Sequence, residues 1–311
     1  MLSQIESFGT DETVIAYIRH FWISQNGSTR QQDLAKKFKE SIRGQAQTAT
    51  LVDDLDRHAV EYEALLFAPF EHKRLANFGA TGRGFISAMT RVLGIEQIRP
   101  LMMAVLNRFP VEEAEKAFRL MLSWSVRFLV VGAGGGGTLE RNYGILSQKV
   151  SDGEIKKARE MRDALEALTD PQFESAFCAY CISNAEIARY VCRSLEGYLR
   201  SEIEPAVIYF ENVATANLEH VMPRVADGWD VPPDVAKGYF NRVGNLTMLD
   251  PQANTRVGNG IFSTKKPFYA ALPFMITQAI SKFDRWGAPE IEQRQTLLAT
   301  YAPKVCPLTW K

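Results

Sequence analysis

Up to about residue 200, apolar side chains recur three or four positions apart, the spacing that lines one side of a helix. Asp11 is placed to cap a helix through residues 14–24, which Gly27 ends. Leu34, Phe38 and Ile42 mark a second helix stopped by Gly44, and Val52, Leu55, Val60 and Leu65 a third. Residues 95–109 predict another, kinked or begun at Pro100 because proline lacks the backbone donor a helix interior needs. The longest helix is expected over 112–131, and segments 154–168 and 184–200 close the series. No repeat of fixed period occurs.

Near residue 203 the pattern changes. Prolines and Gly or Asn turn positions accumulate, and the apolar runs at 218–222 and 246–249 have the length of strands. Helical spacing returns over 265–283 and 289–301. The expected organisation is therefore mainly α: a helical region, 1–202, followed by a compact module, 203–311, backed by helices. At roughly 100–200 residues per domain, a chain of 311 residues agrees with two domains. The 36 basic residues balance the 36 acidic ones, which excludes nucleic-acid binding by bulk charge alone but not a small basic site. The start of the chain has no basic stretch leading into an apolar run, and the apolar segment 118–131 is interrupted by Arg119 and Arg127. A cytoplasmic protein without a membrane span is expected.

Some motifs suggest chemistry and are better read plainly. The glycines at 132–137 are not followed by the Lys-Ser/Thr of a phosphate-binding loop, so a helix-to-helix connection is expected. Cys178 and Cys181 lack the second pair or histidines of a zinc site; they read as reduced thiols on one apolar helix face. His20, His58 and His72 have no acidic or cysteine partner at ligand spacing and read as surface or packing residues.

The segment 217–266 is different. Glu219-His220 ends a short apolar run closed by Pro223. Asn245 lies twenty-five residues after His220 and Asn254 nine after Asn245; Asn259, Lys265 and Lys266 follow. Phosphodiester hydrolysis needs an activated water and charge on the phosphate. A histidine titrating near neutrality can take the water's proton. A hard cation prefers oxygen donors, which the Glu219 carboxylate and the Asn254 amide supply. Asn245 can bridge loop backbones and hold the histidine strand, and Lys265 and Lys266 can neutralise phosphate charge. Adjacent strand residues face opposite sides, so Glu219 and His220 share a site only if the strand bends locally.

These residues carry a resemblance. Glu219 to Pro223, Asn241 to Leu249, Asn254, and Phe262 with Lys265, Lys266 and Tyr269 resemble the HNH, or ββα-metal, nucleases, in particular the C-terminal nuclease domain of GmrSD-type modification-dependent restriction enzymes. Trp286, Ile291, Arg294 and Trp310 resemble that domain's closing helix, and pieces at 18–24, 99–101, 123–128 and 189–191 its preceding helical region. The resemblance implies His220 as general base, Glu219 and Asn254 as ligands of Mg2+ or Mn2+, and Asn245 as the structural asparagine. It implies a DNA endonuclease of restriction or phage defence. The Asp-Gly-Gln-Gln-Arg signature of the family's ParB-like nucleotide-hydrolysing domain does not occur, so that activity is expected from a partner subunit or a further domain. The four cations and single carboxylate within 240–266 suit a nucleic-acid backbone. The competing reading is a catalytically inactive helical subunit that binds DNA or docks a partner.

Overall fold

The computed structural model describes residues 10–66, 72–132, 136–165, 168–207, 216–225, 228–229, 231–258 and 260–309. It divides into two compact units, Met1–Ser125 with Gly132–Ala167, and Val126–Val131 with Leu168–Lys311.

The first unit is helical. Helix α1 (Asp11–Asn26) is capped by Thr10 rather than Asp11: the Thr10 hydroxyl accepts from Thr13 N at 3.3 Å. Asp11 instead stands in the first turn, where its charge complements the helix dipole. Gly27 ends the helix at φ +78°, a conformation favourable to glycine. Helices α2 (Gln31–Ser41) and α3 (Gln45–Leu66) follow, and α3, at 22 residues, exceeds the segment expected to be longest. After α4 (Ala80–Ser87), α5 (Arg99–Arg108) carries Pro100 in its first turn, so the proline begins the helix and does not kink it. Helix α6 (Val111–Val131) buries Phe118, Met121 and Trp124, and its end from Val126 belongs to the second unit. Helix α7 (Gly136–Ser151) begins after the glycine run, whose residues 133–135 lie outside the described residues. Helix α8 (Ala158–Ala164) is shorter than expected because Glu160 folds back onto the Lys156 and Lys157 amides and fixes its start.

Two of the three N-terminal histidines are buried. His20 Nδ1 lies 2.8 Å from the Tyr62 hydroxyl, and burial, with Arg99 and Arg19 nearby, pushes its pKa down to about 3. His58 Nδ1 meets Asp54 O at 2.7 Å. His72 accepts from Arg74 N at the start of a short 3-10 turn. Among the described residues, no helix is long and apolar enough to cross a membrane.

The second unit begins at α9 (Asp170–Phe177) and α10 (Ala185–Leu199), the latter capped by the Asn184 side chain. Helix α10 matches the 184–200 helix expected in the N-terminal region, and α9 was not expected; both group with the strands. Strand β1 (Asn217–His220), α11 (Pro233–Tyr239), β2 (Leu246–Leu249), α12 (Pro251–Val257) and α13 (Phe262–Ala271) follow in order. The continuous helix expected to reach residue 283 is broken at Pro273. A short α14 (Met275–Gln278) restarts there, its amides at Met275 and Ile276 bound by the buried Glu196 carboxylate at 3.0 and 2.8 Å. Helix α15 (Ala288–Val305) closes the unit. Val221, Met222, Leu249, Tyr269, Ile280, Trp286 and Ile291 form a core against the two strands. In the same unit Arg127, 1% exposed, ties α6 to Cys306 O, Leu168 O and Asp170.

The two cysteines of the CxxC do not share a helix face. Cys178 follows the end of α9, and Cys181 is exposed and bridges Arg242 in antiparallel fashion. Ile182 N donates to Asn241 O at 2.8 Å and Val243 N to Tyr180 O at 3.2 Å. The segment is thus a lateral strap on the 240–245 turn. Cys192 and Cys306 are buried, and burial pushes both thiols up to about 12.

Candidate functional site

β1 and β2 pair antiparallel with Glu219 opposite Thr247 and His220 opposite Leu246. The register runs unbroken through both residues, so the local bend needed to bring Glu219 and His220 together is absent. Strand alternation then sends Glu219 into the core and leaves His220 half-buried on the other side.

On the core side, Lys265 Nζ lies 2.7 Å from Glu219 Oε1, and the Tyr269 hydroxyl donates to the same oxygen at 2.9 Å. Lys265 is 1% exposed and also donates to the Val221 and His220 carbonyls at 3.1 and 3.3 Å. Its charge is committed inward. Lys266, next along α13, lies at the surface 3.2 Å from the exposed Asp284 carboxylate. The sequence expectation that both lysines meet phosphate therefore does not match this geometry; only Lys266 remains at the surface.

On the opposite side, the His220 imidazole stacks on Phe240, with ring centroids 3.9 Å apart and planes inclined by 1°. Burial holds the ring's pKa down to about 4, an Asn241 side-chain hydrogen bond partly offsets this, and the Lys265 charge lowers it further. The expected titration near neutrality is thus displaced: the ring is neutral, with a proton-accepting nitrogen, throughout the neutral range. An approaching phosphodiester anion favours the charged ring and moves the value back up.

Asn245 connects these parts. Fully buried, its Oδ1 accepts from Met222 N at 2.9 Å and Trp286 Nε1 at 3.1 Å, while Nδ2 donates to Met222 O at 2.9 Å and Phe240 O at 3.0 Å. All four hydrogen-bonding positions of the amide are filled. One side chain thereby fixes the chain just beyond His220 and the backbone of Phe240, on which His220 stacks. Neighbours brace the turn from outside. Arg294 donates to Gly244 O and Leu246 O at 2.6 and 2.9 Å, and Gln295 accepts from Arg242 Nε at 2.9 Å while donating to Phe177 O and Tyr180 O. Gly244 is required by contact: a Cβ there would stand 2.2 Å from Ile291 O.

Asn254 lies within α12, but its side chain is outside the described residues, as are Asn259 and Trp310. Among the described residues no three His, Cys, Asp or Glu side chains are grouped to hold a metal ion. Of the two expected ligands, the Glu219 carboxylate is held by Lys265 at 2.7 Å. Phe240 and Gln295 were not singled out from sequence, and Asn241 only as the first residue of the Asn241 to Leu249 motif. The position of Phe240 directly before that motif is the signal that could have drawn attention to it.

Residues 167–301 match the family of GmrSD restriction endonucleases, C-terminal domain. The match begins at the residue before the second compact unit's main stretch. No curated protein matches the chain.

Proposed function

We propose that this chain, whose residues 167–301 are a GmrSD-type C-terminal nuclease domain, hydrolyses DNA phosphodiester bonds with His220 as general base. The neutral, stacked and braced imidazole carries this reading. A water on phosphorus gives its proton to the free ring nitrogen as its oxygen bonds to phosphorus. The bond to the leaving oxygen breaks, and that oxygen takes a proton from solvent. Surface Lys266 attracts the phosphate backbone; Lys265 and Glu219 support β1 from within. We read β1, β2 and α12, with α11 between the strands, as an HNH-type module, and the protein as part of cytoplasmic restriction or phage defence beside a ParB-like nucleotide-hydrolysing partner.

Magnesium or manganese enters the proposal through the family resemblance, with Asn254 and Glu219 as donors; when bound, such an ion supplies positive charge to the phosphate. Glu219 can take that part only by leaving Lys265. This pairing is also the one observation that favours the competing reading, an inactive DNA-binding or docking subunit. Incubation of the full chain with plasmid, alone and with magnesium, manganese or chelator, decides between them. Nicking or linearisation supports the nuclease, and its dependence on the ion settles the cofactor. DNA binding without cleavage in every condition supports the subunit.

A further inference from the structure

Within the first unit, the C-terminal ends of three helices meet around a cavity of about 360 Å³. Ser24 and Asn26 lie in the last turn of α1, Asn107 and Arg108 close α5, and Ser151 closes α7. Such helix ends carry partial negative charge, and the last turn of α1 has no basic residue to offset it. Helix α3 contributes Asp54, Arg57 and His58 to the lining.

What this lining offers a ligand follows from where its hydrogens already go. Ser24 Oγ donates to Phe21 O at 2.7 Å and Ser151 Oγ to Ser24 O at 2.7 Å. Asn26 Nδ2 donates to Trp22 O at 3.1 Å; Asn107 Nδ2 donates to Met103 O at 3.1 Å and to Glu61 Oε2 at 2.5 Å. His58 Nδ1 lies 2.7 Å from the Asp54 carbonyl, which can only accept, so in the neutral ring the hydrogen sits on Nδ1 and Nε2 is the acceptor. His58 is only 5% exposed, yet it lines the cavity. In each of these side chains the donor is engaged by the protein and an oxygen or a ring nitrogen is left to accept.

The charged lining residues do not reverse this character. Asp152 adds an exposed carboxylate. Arg57 is paired with Asp54 at 2.5 Å, so that pair has no net charge, and Arg108 is exposed. A wall of acceptors at negative helix ends recognises a ligand that brings N–H groups and positive charge. A bare metal ion is a poor match: among the described residues no three His, Cys, Asp or Glu side chains group to hold one, and the volume is that of a small-molecule pocket. Ala104 gives the wall an apolar spot against which methylenes can lie.

We propose that this cavity binds a small aliphatic polyamine, with its ammonium groups on Asn26, His58, Asn107 and Asp152. The proposal is independent of the nuclease reading. Calorimetric titration of the full chain with spermidine tests it, with magnesium and inorganic phosphate as separate titrants. The wild type is expected to bind spermidine. Asp152→Lys is expected to lower the affinity about tenfold or more, because attraction becomes repulsion. Asn26→Leu, which removes an acceptor without changing charge, is expected to lower it about three- to tenfold. Arg108→Ala is expected to bind at least as tightly as the wild type. All three positions are exposed, and melting temperatures of the same preparations establish that the variants are folded. Absence of spermidine binding to the wild type overturns the proposal. So does an affinity unchanged in folded Asp152→Lys or in folded Asn26→Leu, which places the ligand elsewhere. Phosphate binding that Arg108→Ala abolishes would make the cavity an anion site, and magnesium binding that Asp152→Lys abolishes, without spermidine binding, a metal site; either result overturns the polyamine assignment.

Discussion

The Lys265 ammonium stands 2.7 Å from Glu219 Oε1, with side-chain exposures of 1% and 10%. Two charges so deeply placed sustain each other, and removing one leaves the other uncompensated at a cost of about 3–5 kcal/mol. Lys265→Met is expected to lower the unfolding free energy by that order. The double variant Glu219→Gln with Lys265→Met is expected to lose less than the two single losses added together. Chemical denaturation of the four proteins measures both effects, and strictly additive losses would exclude the coupling.

Asn245 is expected to be the most sensitive polar position of the second unit. Asn245→Ala leaves Met222 and Phe240 backbone groups unpaired in the core, at roughly 1–3 kcal/mol for each group that stays dry. Asn245→Asp keeps the acceptor and loses both donors, so it too is expected to melt well below the wild type. Thermal unfolding reads this directly; a melting temperature unchanged in both variants would contradict the bracing assigned to the amide.

The reading of Asn245 from sequence rested on the chemistry of an amide, which can satisfy two backbones at once wherever a turn crosses a strand. The two strands were legible for a similar reason: short apolar runs between prolines leave few alternatives. Glu219 was not legible. Its partner Lys265 is 46 residues away, and nothing local says which of two adjacent lysines turns inward; the face of α13 decides it. The break at Pro273 was hidden because Glu196, on α10, supplies the cap that restarts the helix. The CxxC was misread as helical because the end of α9 is set by pairing with the 241–243 backbone rather than by a local stop signal.

Gly244→Ala tests the contact between the turn and α15. The added methyl would meet Ile291 O at 2.2 Å and Gln295 Cβ at 2.9 Å, neither of them the free end of a flexible side chain. A loss of about 1–3 kcal/mol is expected in denaturant unfolding, as for other overpacked sites. Stability equal to the wild type would mean that α15 does not pack on the turn as described.

His220 also predicts a pH dependence. Its ordinary value is 6.5 and its folded value about 4. Between these the unfolded chain binds the extra proton, so folding stability falls as pH drops from 6.5 towards 4 and this contribution is fully present above 6.5. His20, lowered to about 3, acts in the same direction in the first unit. His220→Gln is expected to lose less stability than the wild type between about pH 6.5 and about pH 4.5, read by denaturant unfolding at each pH. An equal loss in both proteins would show that the folded ring titrates normally.

The most direct measurement is the plasmid-cleavage rate of His220→Ala against the wild-type chain, with melting temperature and DNA affinity recorded on the same preparations. A general base contributes roughly 10²–10⁴-fold. The account predicts a loss of that size in the folded variant, with DNA affinity intact. A folded variant that keeps more than a tenth of the wild-type rate would contradict it.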